Sequence, residues 1–221
     1  MASLKHLAVL ATSLVLTVQA QAAYVQTGVR NDVSFNAVVL DGWQLVSQSN
    51  YGDNLSISDM FAGLSANSQV MIGAMQRGSG VIDVLAGATL GEITTYTAVH
   101  ETHAANGVEW YFNGSSMGFA GLGKTIYQNS ADVNGLDERD RLSWHTTMVP
   151  GIFVQDPGQS PLYVYDGWRS GNNTWIYEGT DWDRVVFTTA VPEPETYAMM
   201  LAGLALVAGA ARRRKQANRQ A

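Results

Sequence analysis

The chain of 221 residues has no cysteine, a net charge of −6 and 46% hydrophobic residues. Without cysteine it has no thiol nucleophile, no thiolate metal centre and no disulfide framework. The acidity is concentrated between residues 23 and 190, where seven Lys and Arg face 17 Asp and Glu for a net −10. Such a surface repels phosphates and excludes nucleic acid as a partner, while still accepting divalent cations and neutral glycans.

In chain order, Lys5 and His6 precede the apolar stretch Leu7 to Val18, and Gln19-Ala20-Gln21-Ala22 supplies the small residues of a cleavage site. Residues 1–22 read as a secretory signal peptide, a helix cut by signal peptidase after Ala22 or Ala23. The remainder up to residue 190 is long enough to bury one core. Phe35 to Leu40 and Trp43 to Val46 are predicted strands around an Asp41-Gly42 turn. Ser56 to Leu64 is a predicted short helix capped by Ser58, with Met60, Phe61 and Leu64 on one face. Gln69 to Gln76 and Val81 to Leu85 form a predicted hairpin across Arg77-Gly78-Ser79-Gly80. Thr89 to Thr97 is ambiguous, and its threonines favour strand. Val108 to Phe112 and Met117 to Ala120 flank Asn113-Gly114 in the clearest hairpin signal. Arg141 to Met148, Gly151 to Val154, Pro161 to Tyr165, Thr174 to Tyr177 and Arg184 to Thr189 complete the series. Strands at this spacing, with 22 glycines in the chain for turns, predict a mainly β fold. The expected form is a single antiparallel β-sandwich or jelly-roll-like domain over 23–190 with one or two short helices.

Residues 191–221 differ in kind. Val191-Pro192-Glu193-Pro194-Glu195-Thr196 leads into an apolar run from Tyr197 to Ala211, followed by Arg212-Arg213-Arg214-Lys215. Pro192 and Pro194 fix φ and disfavour helix before them, which keeps the segment extended, as a protease substrate is. As a helix, 197–211 spans about 22 Å, short of the ~20 residues that cross a bilayer comfortably. It reads as a short transmembrane helix, with the basic tail 212–221 on the cytoplasmic side.

These residues resemble the PEP-CTERM sorting signal of Gram-negative bacteria. The resemblance rests on Pro192, Glu193 and Pro194, on Thr196, on the Gly203-Leu204 pair and on the basic stop Arg212, Arg213, Arg214 and Lys215. It bears on the tail and leaves the domain ahead of it unassigned. It implies recognition in the inner membrane by exosortase, a membrane protease-transpeptidase, and a cut near the Pro-Glu-Pro. The chain is then transiently anchored through its C-terminal helix before reaching the cell surface or medium. Exopolysaccharide and biofilm are the implied surroundings. A tail anchor that is never cut is the competing reading.

Within the domain, several patterns suggest chemistry. Gly118-Phe119-Ala120-Gly121-Leu122-Gly123-Lys124-Thr125 satisfies the P-loop pattern in full, but a working P-loop joins a strand to a helix. The turn-rich residues after Thr125 show no helical stripe, so a glycine-rich hairpin or bulge region is expected. His100-Glu101-Thr102-His103 is one residue short of the zinc-protease motif, which makes His100 and His103 weak metal candidates, with His145 as a third ligand if the fold brings it near. Asp132, Asn134 and Asp137 are candidate calcium ligands, although Leu136 and an early Gly135 depart from an EF-type loop. No cofactor other than calcium is implied. Trp168, Arg169 and Trp182, flanked by Gly, Asp and Arg, are the candidate glycan contacts, whereas Trp110 and Trp144 are expected in the core. No G-x-S-x-G elbow occurs, and 17 scattered carboxylates define no particular pair. The expectation is a non-catalytic structural or adhesive protein, with a carbohydrate-binding module and a secreted metal-assisted hydrolase as alternatives.

Overall fold

The computed structural model describes residues 26–98, 100–126, 130–131, 138–147, 162–169, 181–189, 202–204 and 207. The strands all belong to one compact unit, Ala23–Val191. In chain order they are β1 (Arg30–Ser34), β2 (Trp43–Asn50), β3 (Leu55–Ser56), β4 (Gln69–Gln76), β5 (Val81–Thr89), β6 (His103–Ala105), β7 (Val108–Phe112), β8 (Ser116–Gly121), β9 (Leu142–Thr147), β10 (Tyr163–Arg169) and β11 (Trp182–Thr189). Three single-turn or two-turn helices intervene: α1 (Phe35–Leu40), α2 (Ile57–Met60) and α3 (Leu90–Ile93).

The strands form two antiparallel sheets, one of five strands in the order β1-β5-β4-β11-β2 and one of six in the order β3-β10-β9-β8-β7-β6. Alternate residues of both sheets meet in one core. Val70, Ile72, Val84, Ala86 and Val186 come from the first sheet, and Trp110, Phe112, Met117, Phe119, Leu142, Trp144 and Val164 from the second. This is a two-layer sandwich, as expected. Strands β6 to β10 stay in one sheet as a meander, so the strand alternation of a jelly-roll is not seen there.

The predicted hairpins β4–β5 and β7–β8 are present, because a tight turn and two apolar runs fix each locally. Phe35 to Leu40 is not a strand but α1. Ser34 caps it by accepting from the Ala37 amide at 3.4 Å, and the Asp41 amide closes the last turn on the Ala37 carbonyl at 2.9 Å. The reason lies in the five-stranded sheet, whose middle strands are apolar on both faces. Its outer face carries Met71, Met75, Ile82, Leu85, Val185 and Phe187, which form a second cluster with Val33, Val38 and Trp43. A helix lets Phe35 and Val38 share one side, and the Phe35 ring lies 5.5 Å from that of Phe187.

The cap of α2 is Ser56, not Ser58, and the helix ends at Met60. Thr89 to Thr97 is not a strand either. Thr89 ends β5 and caps α3, while the Thr94 and Thr95 hydroxyls donate to the Leu90 and Gly91 carbonyls at 2.7 Å. Threonine serves here as a backbone partner instead of a strand former.

Arg184 ties the two sheets. It is 1% exposed yet has no direct carboxylate partner among the hydrogen bonds described. Its guanidinium donates to Ser49 Oγ at 3.1 Å, to the carbonyls of Tyr51 and Asp166 at 3.2 Å, to that of Asp53 at 2.5 Å and to that of Asn50. Its Cζ also stands 5.5 Å from the centre of the Tyr51 ring. Burial pulls its pKa down to about 10 against the opposing field of Tyr51, Asp53, Asp166 and Asp183, so it stays charged at neutral pH. The acceptors come from the end of β2, from the β2–β3 loop and from β10, so one buried cation closes the sandwich where these meet β11.

Candidate functional site

The P-loop-like stretch is built as β8, a turn and an extended run to Ile126, with no helix at Lys124–Ile126. Its polar groups serve the chain itself. The Gly123 amide donates to Glu109 Oε1 at 3.0 Å, and Lys124 Nζ donates to Glu138 Oε1 at 3.0 Å. Buried Arg141 donates to Glu138 Oε2 at 2.5 Å and to the Thr125 carbonyl at 2.7 Å. Burial raises the Glu138 pKa, but the hydrogen bonds from Arg141 and Lys124 outweigh it and leave it lowered. The lysine and amide that would hold a phosphate therefore hold carboxylates of the same chain. Gly118 has a local reason, since any Cβ there would strike the Leu142 carbonyl and approach Tyr111 Oη at 2.9 Å.

The histidines do not converge. His100 is exposed, at a left-handed φ of 68° in a turn. His103 lies in β6 opposite Trp110, with Nε2 3.4 Å from Glu92 Oε2. His145 lies in β9, three strands from β6, which is about 14 Å at ~4.8 Å per strand. The pairing His103–Trp110–Phe119–Leu142 also places His145 three residues further along. Among the described residues no group of three or more His, Asp or Glu stands close enough to hold a metal ion. Asp132, Asn134 and Asp137 lie outside the described residues.

Trp110 and Trp144 are fully buried, and their indole nitrogens donate to the Ala105 carbonyl and to Tyr51 Oη, each at 3.1 Å. Trp182 is half-buried, with one side packed against the central core. Trp168 and Arg169 belong to β10, opposite Ser143 and Leu142, beyond a bulge that follows Tyr165. The glycine of that bulge, Gly167, packs so closely that a Cβ would come within 2.6 Å of the Ser143 carbonyl and 2.7 Å of the Tyr51 ring.

The same pairing reveals a row that sequence reading missed. Trp144 and Val164 point into the core, so their neighbours His145, Tyr163 and Tyr165 occupy the outer face of the six-stranded sheet, all three half-buried. The His145 and Tyr165 rings meet edge to face at 5.9 Å. Burial, with Asp166 beside it, pushes the Tyr165 phenol up to about 12. Further along this face the Tyr111 hydroxyl bonds to Ser143 Oγ, and both accept from the Ala131 amide at 3.0 and 2.9 Å. The signal was alternation around buried Val164 and Trp144, which a search by residue type alone does not register.

Pro192, Glu193, Pro194 and Arg212 to Lys215 lie outside the described residues. Of the expected membrane helix 197–211, residues 202–204 and 207 are described and helical. Among the described residues no helix is long and apolar enough to cross a membrane. Comparison with curated proteins and with solved structures gives no significant match. A family model described as the PEP-CTERM protein-sorting motif matches residues 190–215. The chain thus carries a PEP-CTERM sorting motif directly after its last sheet strand, the tag of an exported protein sorted by exosortase.

Proposed function

We propose that this is a surface or extracellular-matrix protein whose sandwich has a non-catalytic, structural or adhesive role linked to exopolysaccharide. The sorting motif at 190–215 carries this reading. The internal use of Lys124, Glu138, Arg141 and Arg184 supports it, since these charged groups are engaged in holding the fold. Replacing both prolines (Pro192→Ala with Pro194→Ala) is expected to leave unprocessed precursor in the membrane fraction. Normal cleavage and release of that variant would overturn the sorting half of the proposal.

The row of His145, Tyr163 and Tyr165 favours a second reading, a carbohydrate-binding face. Aromatic side chains such as these stack on sugar rings. Retention of the chain on polysaccharide, weakened by His145→Ala, is the expected outcome. Absence of retention on every polysaccharide tried would end it.

A further inference from the structure

Among the described residues the sandwich has four sheet edges, and three of them are blunted. β3 and β6 are two and three residues long. β1 is longer but charged, and Asp32 breaks its ladder with a left-handed φ of 53°. Arg139 clamps Asp32 with two hydrogen bonds, at 2.7 and 2.5 Å. Short strands, charge and local distortion are the ordinary protections of a sheet edge.

The β2 edge differs. Its eight residues, Trp43 to Asn50, contain no charge and no proline, and among the described residues it pairs only with β11. Leu45 pairs with Phe187, and Ser47 with Val186, so Val46 is the extra residue of a bulge. Leu45 and Val46 are each 38% exposed there. Leu45 shares the outer face of Phe187, the face on which α1 packs, and α1 ends in Val39 and Leu40, 44% and 86% exposed. A neutral strand, paired on one side only among the described residues, therefore borders an apolar corner.

We infer that β2 is a self-association edge, where two copies of this chain meet antiparallel about Leu45 and Val46, with Val39 and Leu40 of each copy on the flank. Three features select a second copy as the occupant. An antiparallel edge is complementary to itself, so a two-fold axis satisfies both copies at once. Two domains of net −10 repel elsewhere and approach at least cost along an uncharged strip. Gln44 supplies an exposed amide side chain to such a seam, while the Gln48 amide already donates to Asp183 Oδ2 of its own chain at 2.6 Å. This rests on the structural reading above for its meaning, as a way for a matrix protein to link copies.

The cysteine-free chain allows a direct test. Single variants Gln44→Cys, Val46→Cys and Gln48→Cys of the full-length chain are oxidised in mild detergent, with Leu122→Cys, at an apolar position 62% exposed after β8, as control. The expected result is a disulfide-linked dimer at one or more β2 positions, strongest at 46, and little at 122. No dimer at any β2 position, or equal dimer at 122, overturns the inference. In sedimentation, Leu45→Lys with Val46→Lys should weaken dimerisation by about tenfold or more at unchanged melting temperature. A monomeric parent chain, or a dimer that survives the two lysines, also overturns it. If the lysines lower the melting temperature, the cysteine scan decides alone. Cross-linking at β2 with failed tail processing would keep this inference and sink the sorting reading, and the reverse pattern would do the opposite.

Discussion

The two sheets use their outer faces differently. The five-stranded sheet is apolar on both sides, with α1, Val33 and Trp43 contributing to a second core behind it. The six-stranded sheet is apolar on its inner side, while its outer side carries Tyr111, Ser143, His145, Tyr163 and Tyr165. One sheet is therefore fixed by burial on both faces, and substitution there reads out as stability. The other carries polar and aromatic groups on its outer side, of which Tyr111 and Ser143 are fully buried and His145, Tyr163 and Tyr165 half-buried. Three predictions sharpen or break this contrast.

The largest effect is expected where the sheets are joined. Arg184→Ala leaves the carbonyls of Asn50, Tyr51, Asp53 and Asp166 without their donor, and unmatched buried groups of this kind should cost about 3–5 kcal/mol in total. Denaturant unfolding of the purified chain checks this. A loss below about 1 kcal/mol would mean that the buried cation does not hold the sandwich together.

The contrast itself is tested by a matched pair. Phe187→Ala removes the ring that Phe35 packs on and should cost about 3 kcal/mol, whereas His145→Ala should cost less than about 1 kcal/mol. Loss of polysaccharide retention in His145→Ala would then report a lost contact instead of unfolding. Equal destabilisation by the two substitutions would erase the distinction between the faces.

The smallest effect concerns Glu138, held by Arg141 and Lys124. Its pKa is lowered in the fold from 4.5. Its stabilising contribution is therefore complete above the unfolded value and fades as pH falls through the lower native value. Glu138→Gln should flatten the acid limb of melting temperature against pH. An unchanged acid limb would show that this cluster does not couple to folding.

Some of this was legible before any fold was known. Hairpins such as Val108–Gly121 declare themselves through a turn and two apolar runs, because all the determinants are local. Helix α1 was not legible, because alternating and helical readings of Phe35 to Leu40 differ only once a second apolar face exists behind the sheet. Arg184 gave a hint as a charge beside Val185-Val186-Phe187, but its acceptors are carbonyls as much as 134 residues away, and carbonyls carry no sequence signature. The glycan contacts expected at Trp168 and Trp182 were read from composition and flanking residues. Register adds His145 and Tyr165, whose place on the outer face depends on which neighbours point inward. The P-loop match illustrates the opposite error, a complete motif whose lysine already has a partner in Glu138.

The position of β11 has a consequence in time. It is the last strand of the domain in the chain, yet it stands between β4 and β2, so the five-stranded sheet has no continuous centre until residues 182–189 arrive. Pairings this distant in sequence form slowly. A chain threading outward from its N-terminus must carry β2 and β4 as separate, half-made edges through nearly the whole of its passage. The sheet closes only as the sorting motif, which begins at residue 190, is about to follow. Completion of the domain and presentation of the tail thus fall at the same moment of export.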